Sequence, residues 1–232
     1  MAESPQSNPS PLIEFHAVGH HRFPAPYPAS RNIPDWYKEL AIECTTAGPN
    51  PEVLPTIKRC PPFLEAIAGG YIIPLADDIH FSTDARGNLN FKCKNDIVHT
   101  HNPGQYKGTP FGKQVIVKFI NLWIIRTPPG YSTLLVQPMN RFHIPFVMLS
   151  GVVETDNWYL EIHFPAISQL PPNSQYLMPK GTPLMQAIPF QREQWQSAVG
   201  ELEPEVREKA RLGLAGNLHV YKDEHWRKKS YG

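Results

Sequence analysis

The sequence predicts a mainly β protein of the barrel or sandwich type. Between residues 71 and 190, short runs of β-branched and aromatic residues recur about every ten residues, and turn residues separate them. Proline accounts for 26 of the 232 residues, and proline is excluded from helix interiors and central strands. Because 41% of the residues are also hydrophobic, the chain favours short strands with many ordered connections.

The N-terminal part predicts a tail followed by an arm with short helices. Residues 1–11 are rich in Pro, Ser and Asn, which predicts disorder. In the arm, residues 12–70, the segment NIPDWYKEL places apolar side chains at helical spacing. The segment CPPFLEAIAGG predicts a second helix, which prolines open and Gly69-Gly70 ends.

A β-barrel domain, residues 71–190, and a helical extension, residues 191–232, follow. The predicted strands are YIIPL, DIHFS, NLNFK, QVIVKFINLWIIR, STLLVQP, PFVMLSGVV, WYLEIHF, QYLMP and LMQAIPF. In the extension, Pro204 opens the segment EPEVREKARLGLAG, where Val206, Ala210 and Leu214 form one apolar stripe.

The bulk properties exclude several classes of protein. Lys and Arg number 22 against 21 Asp and Glu, so neither nucleic acid nor an anionic membrane is an expected partner. The longest apolar run, VIVKFINLWII, contains Lys118 and Asn121 and is too short and polar to span a bilayer. Cys44, Cys60 and Cys93 form no disulfide or zinc pattern. We therefore expect a soluble, cytoplasmic protein with free thiols.

Four stretches resemble, in the same order, motifs of the dUTPase and dCTP-deaminase superfamily. They are AGGYIIPLADDI, TPPGYSTLLVQPMNR, GVVETDNWYLEIHF and PKGTPLMQAIPF, between residues 68 and 190. The resemblance implies a dUTPase-like β-clip or barrel, a nucleotide-like ligand and a homo-oligomer, with a trimer favoured. The segments IPDWYKEL and TIKRCPPFLEAIAGGYIIPL also resemble a family of phage and bacterial proteins, which implies no activity.

The chain departs from the superfamily pattern at the positions that carry its chemistry. Ile72 stands where the first motif has Asp, and Asn140 stands where a serine contacts the nucleotide phosphate. Glu154 replaces the Asp that activates water, and residues 157–159 replace the Tyr-x-Gly that admits the deoxyribose. No glycine-rich tail follows Phe190. These departures argue against ordinary triphosphate hydrolysis.

The resemblance places a pocket at a hairpin, residues 151–159. There Glu154 would position a water or act as a base, with Asp156 beside it. The further ligand contacts would be Asn140, Trp158, Tyr159 and Gln186. The alternative is a solvated turn, where Asp and Asn are favoured for backbone reasons alone.

A second candidate site is a metal centre. His99 and His101 are two residues apart, so a strand would present both on one side. Gln105 follows four residues later, and the spacing resembles the first metal motif of cupins, where a Glu usually stands last. Such a site would hold iron, manganese, zinc or magnesium in an oxygenase or isomerase. The candidates for a third ligand are His80, His143 and His163. The alternative is two polar residues at a strand end.

Cys60 is a candidate reactive thiol. It lies between the cations Lys58 and Arg59 and the start of a predicted helix, and all three favour a thiolate. The alternative is an inert cysteine, because cysteine is among the residue types most often buried.

Three hypotheses of function follow. The first is a small-molecule-binding protein or hydrolase-like enzyme with its pocket at the predicted hairpin. The second is a metal-dependent oxygenase or isomerase. The third is a non-enzymatic structural or regulatory homo-oligomer, which the missing serine and glycine-rich tail favour over true dUTPase activity.

Overall fold

The computed structural model describes residues 10–19, 23–216, 220–227 and 229, and within them the protein is mainly β, as predicted. The expected tail, residues 1–11, lies outside the described residues except for its last two. The chain forms two compact units. The first contains the residues up to Tyr27, Tyr71–Pro138 and Phe142–Arg192, and the second contains Pro28–Gly70, Met139–Arg141 and the residues from Glu193 onward. No described helix is long and apolar enough to cross a membrane.

The described elements are short. In chain order the strands are β1 (Glu14–Ala17), β2 (Tyr27–Pro28), β3 (Glu43–Thr45), β4 (Val53–Pro55), β5 (Tyr71–Pro74), β6 (Ile79–Thr83), β7 (Leu89–Cys93), β8 (Val98–Thr100), β9 (Ile116–Phe119), β10 (Trp123–Arg126), β11 (Tyr131–Val136), β12 (Phe146–Met148), β13 (Gly151–Val153), β14 (Phe164–Ser168), β15 (Gln175–Met178) and β16 (Pro183–Gln191). The α-helices are α1 (Asp35–Glu39), α2 (Pro61–Ala68) and α3 (Pro204–Gly216), and shorter helical turns are Ala29–Asn32, Ile57–Arg59, Pro103–Tyr106 and Tyr221–His225.

The largest sheet of the first unit has β16 at its centre. β16 pairs antiparallel with β5 on one side and with β11 on the other, and β11 also pairs with β13. A second sheet has the order β12-β14-β9-β8 and a third the order β15-β6-β7, while β1 pairs with β10. The first unit is therefore built from several short antiparallel sheets around a shared core.

Phenylalanines form the centre of that core. Phe81 on β6 lies 4.7 Å, ring centroid to centroid, from Phe146 on β12 and 6.3 Å from Phe119 on β9. All three side chains are at most 2% exposed, as is Phe164 on β14. Burying each contributes about 1.5–3 kcal/mol, so these rings hold the second and third sheets together.

One predicted strand is wrong. The segment WYLEIHF was expected to pair as the second arm of a hairpin, but the chain is irregular from residue 158 to residue 163, and the strand is Phe164–Ser168 instead. Trp158 and Leu160 are 46% and 58% exposed, whereas Phe164 and Ala166 are buried. Burial therefore selects the later segment, which pairs with β9 and β12 and not with β13. Residues 151–159, which we call the turn segment, consequently consist of β13 and the turn after it and do not form a hairpin.

Two other predicted runs are each divided into two strands. QVIVKFINLWIIR becomes β9 and β10, because the side chain of the buried Asn121 hydrogen-bonds to the backbone two residues further on. Its Nδ2 donates to the Trp123 carbonyl at 2.7 Å, and its Oδ1 accepts from the Trp123 N–H at 3.1 Å. PFVMLSGVV becomes β12 and β13, which belong to different sheets.

The second unit contains the predicted short helices. α1 and α2 pack through aromatic rings, with Tyr37 stacked on Phe63 at a centroid distance of 6.0 Å. The Tyr37 hydroxyl donates to the Lys58 carbonyl at 3.3 Å. α2 begins at Pro61, and Gly70 beyond its end has a φ of 68°, which favours glycine. α3 begins at Pro204, as predicted.

Candidate functional site

The turn segment meets a tight turn that precedes β11. The Tyr131 N–H donates to the Pro128 carbonyl at 3.2 Å, and Gly130 has a φ of 86°. Proline followed by glycine with a positive φ is the pattern of a type II turn. This geometry directs the Gly130 N–H at the side chain of Asp156, and the hydrogen bond is 2.9 Å long.

Asp156 is bound from two further directions by Arg192. Arg192 Nη1 donates to Asp156 Oδ1 at 3.0 Å, and Nη2 donates to Oδ2. The same guanidinium donates to the Tyr131 carbonyl at 2.9 Å and the Ser132 hydroxyl at 3.1 Å. The hydrogen bonds from Arg192, and then that from Gly130, lower the pKa of Asp156 to about 2. Asp156 therefore acts as a structural anion that ties the turn segment to the end of β16.

Three buried threonines lie beside this ion pair. Thr155 Oγ1 is 2.7 Å from Thr127 Oγ1 and 2.8 Å from Thr133 Oγ1, and all three residues are at most 8% exposed. The Thr127 N–H also donates to the Thr155 carbonyl at 3.2 Å. Buried hydroxyls need such partners, so this threonine cluster (Thr127, Thr133 and Thr155) anchors the turn segment through Thr155.

The other predicted residues of the turn segment face outward. Glu154 is exposed, and its carbonyl accepts the Asn157 and Trp158 N–H groups at 3.2 and 3.1 Å. Tyr159 is 55% exposed, and its ring lies 4.8 Å from the guanidinium carbon of Arg126. These contacts are those of a surface turn with a cation–π contact.

The remaining predicted contacts are Gln186 and Asn140. Gln186 is fully buried in β16, opposite Val136 on one side and Ile72 on the other. Asn140 belongs to the second unit, where its φ of 57° is that of a left-handed turn residue. Asparagine is one of the few residues that adopt this conformation readily.

His99 and His101 contact different partners. His99 lies on β8 opposite Lys118, and its Nε2 is 3.4 Å from Asp96 Oδ2. His101 follows the strand, and its Nδ1 is 2.9 Å from Gln105 Oε1. Among the described residues, no group of three or more His, Cys, Asp or Glu side chains is placed to hold a metal ion. Gln105 therefore orients His101 through a hydrogen bond.

His101 lines a cleft of about 350 Å³ in the first unit. Its ring packs edge to face against Tyr106 at a centroid distance of 5.3 Å. The cleft also contains the following polar residues, together with apolar ones from the adjoining strands: Asn88, Thr100, Lys113 and Gln114. A volume of this order and a mixed lining are typical of small-molecule sites.

The loop that forms one wall of the His101 cleft is held in one conformation. Asn102 Oδ1 accepts the Gly104 N–H at 2.9 Å, and the Thr109 hydroxyl donates to the Tyr106 carbonyl at 2.8 Å. At Gly112 an added Cβ would lie 2.4 Å from that carbonyl oxygen, so only glycine fits. The cleft wall is thus fixed by the loop's own backbone contacts.

Two further predicted residues take positions of their own. His163 Nδ1 is buried and has no hydrogen-bond partner among the described residues. Burial, and then the charge of Lys118, lower the pKa of His163. Cys60 is exposed before α2, and all three cysteines are free thiols.

Sequence reasoning missed Arg192 and the residues that share the cleft with His101. Arg192 lies 36 residues from Asp156, and nothing local marks it as a partner. Tyr106 and Lys113 lie on a loop without periodicity. The His101–Gln105 spacing resembles a metal motif, whereas in the structure the two side chains form a hydrogen-bonded pair.

No protein-family model matches the chain, and neither does any curated protein. Similar solved structures are dUTPases of staphylococcal phages. A variant of the S. aureus phage phi11 dUTPase, described with a structural Mg(II) ion, is 12% identical over 58% of this chain and 83% of that one, with a TM-score of 0.35. Two variants of the bacteriophage 80alpha dUTPase with dUpNHpp have TM-scores of 0.33 and 0.34 at 12% and 8% identity. They cover 58% and 83% of this chain, and 76% and 96% of their own. These structures are at most 12% identical to this chain and their TM-scores lie below 0.5, so they transfer no residue role to it.

Proposed function

We propose that this protein binds a small polar molecule in the His101 cleft. The observation that supports the proposal is the hydrogen bond between His101 Nδ1 and Gln105 Oε1. An amide oxygen only accepts, so the hydrogen lies on Nδ1 and the neutral ring presents Nε2 as an acceptor. No described residue occupies Nε2, which makes it the cleft's natural contact for a ligand hydroxyl or amine.

The rest of the lining suggests the ligand's other groups. Lys113 supplies a cation, which favours a carboxylate or phosphate on the ligand. Leu89, Val115 and Ile116 supply an apolar wall. A nucleotide-like molecule has these three features, as do smaller hydroxy acids. If the ligand is chemically altered, we propose that His101 exchanges a proton with it through Nε2.

Thermal melting with a ligand panel tests the proposal. The panel contains deoxynucleosides, their phosphates and small hydroxy acids, and a ligand at a hundred times its Kd stabilises the fold by about 2.7 kcal/mol. We expect the wild type and His80→Asn, an exposed histidine outside the cleft, to respond alike. His101→Asn should lose the response, and a retained response would place the ligand elsewhere.

A second candidate function is self-association, supported by the exposed run Trp158–Leu160. These three apolar side chains are 46–58% exposed on the first unit. Contiguous exposed apolar residues indicate an interaction surface. We propose a homo-oligomer that uses this run. Light scattering of the wild type and of Leu160→Lys at micromolar concentration tests it, because the lysine should shift the protein to a smaller species.

A further inference from the structure

The second unit contains a groove that the proposed function does not use. It measures about 480 Å³ and lies between residue Ile42, the start of α2 and the residues around Trp226. The volume is within the range of small-molecule sites, about 300–1,000 Å³.

One part of this groove is apolar. It is lined by Ile42, Pro61, Leu64 and Trp226. The indole Nε1 of Trp226 donates to Glu65 Oε1 at 2.8 Å, and Lys229 donates to the other oxygen of the same carboxylate. These contacts hold the ring of Trp226 in a fixed orientation, ready to pack against a flat apolar group.

The other part of the groove is cationic. It is lined by Lys58, Arg59 and Lys222, against the single carboxylate of Asp223. Arg59 Nη2 also binds Glu43 Oε1 at 2.6 Å, so three cations stand against two carboxylates and the region remains positive.

Lys58 is held in place by the second unit itself. Its Nζ donates to the carbonyls of Lys38 and Leu40 at 2.5 and 2.8 Å. An ammonium has three hydrogens, so one remains for a ligand. The eight-residue helix α2 starts at Pro61 in the same groove, and its N-terminus adds a partial positive charge.

We propose that this groove is a second ligand site, which binds a small anionic molecule with an apolar, ring-sized body. The ring packs against Trp226 and Leu64, and the acid group lies between Lys58 and Lys222. The site shares no residue with the His101 cleft, and each is tested without reference to the other.

Naphthalene-2-sulfonate is a suitable probe, with neutral naphthalene-2-sulfonamide as its matched control. The indole N–H signal of Trp226, assigned by its loss in Trp226→Phe, is followed by NMR during titration of the full chain. We expect a saturable shift with the sulfonate and a dissociation constant at least about fivefold weaker with the sulfonamide, because the amide lacks the charge.

Three variants complete the experiment. Lys222→Ala removes an exposed cation and should weaken sulfonate binding about fivefold. Ile42→Ser should weaken both compounds alike, and Lys209→Ala, an exposed lysine of α3 outside the groove, should change neither. Unchanged signals of the other indoles report that each variant is folded. The proposal is overturned if Trp226 does not respond, if both compounds bind equally, or if Lys222→Ala binds as the wild type does.

Discussion

The turn segment and the His101 cleft are both polar, but they differ in how far the chain satisfies its own groups. In the turn segment, Asp156 receives donors from Arg192 and Gly130, and Thr155 has two hydroxyl partners. In the cleft, Gln105 satisfies one nitrogen of His101 and no described residue satisfies the other. A polar group whose bonding capacity is filled by its own chain supports the fold, whereas a half-filled one beside a cavity can hold a ligand. The closeness of Glu154 and Asp156 in the sequence does not by itself show whether they support the fold or bind a ligand.

The largest effect is expected in the turn segment, from Thr155→Val. The change removes the hydroxyl that joins Thr127 and Thr133 and leaves them without that partner in a buried site. We expect the free energy of unfolding in urea to fall by about 1–3 kcal/mol. Thr109→Val, on the exposed cleft loop, is the matched control and should cost less. An equal loss in both would remove the distinction between the two regions.

The acid limb of the stability curve tests the ion pair. The folded-state pKa of Asp156 is about 2, below the unfolded value of about 3.9, so its contribution is present above pH 4 and is lost as the pH falls toward 2. Asp156→Asn should therefore lower the melting temperature at neutral pH and flatten its decline in that window. Arg192→Lys keeps the charge but not the bidentate hydrogen bonds, so its melting temperature should lie between those of the wild type and Asp156→Asn. A steep, unchanged decline in Asp156→Asn would contradict the structural role.

His163, beyond the end of the turn segment, should make stability depend on pH in a higher pH range than Asp156 does. Its folded-state pKa is lowered by burial, by Lys118 and by His99, while Glu161 opposes them. The unfolded chain therefore binds a proton near pH 6.5 that the folded chain does not, and stability falls as the pH drops below that value. We expect His163→Leu to weaken this dependence between about pH 7 and pH 5, measured by urea unfolding. A pH dependence in His163→Leu equal to that of the wild type would contradict this assignment.

The smallest effect is expected from Glu154→Gln. Glu154 is exposed and its backbone makes the turn, so the free energy of unfolding should change by no more than about half a kcal/mol. Its melting response to the ligand panel should equal that of the wild type. If Glu154→Gln lost this melting response, Glu154 would be a ligand contact, and the turn segment would not be purely structural.

Much of the fold was predictable because turn residues and prolines separate short apolar runs, and these runs form the buried strands. The run LMQAIPF gives β16, and the prolines of CPPFLEAIAGG give the start of α2. The prediction failed at WYLEIHF, whose alternation imitates a strand, while Pro165 disfavours one in the segment that pairs. Pro165 cannot donate a backbone hydrogen bond, and its carbonyl accepts the Leu149 N–H at 2.9 Å. Burial of Phe164 and Ala166, a property of the whole core, outweighed the local pattern.

The candidate sites were less predictable, because their partner residues are far apart in the sequence or depend on the path of a loop. The sequence proposes Asp156 as a catalytic residue, and it carries no signal that the side chain is hydrogen-bonded to Arg192. The spacing from His101 to Gln105 fits a ligand pair on a strand and a hydrogen bond across a short helical turn equally well. Only the path of the chain between them decides, and in that segment Asn102 Oδ1 accepts the Gly104 N–H at 2.9 Å.

The central position of β16 has a consequence for how the first unit folds. Its neighbours β5 and β11 are synthesised before it. Ile72 of β5 therefore cannot pair with Gln186, nor Leu134 of β11 with Ile188, until β16 has been made. Such pairing has a high contact order, since a large loop must close before any hydrogen bond of the ladder forms. Until residue 192 leaves the ribosome, β5 and β11 lack the neighbour that they share, and one edge of each strand is unpaired. A nascent chain that ends before β16 therefore exposes unpaired strand edges, which favour aggregation and chaperone binding.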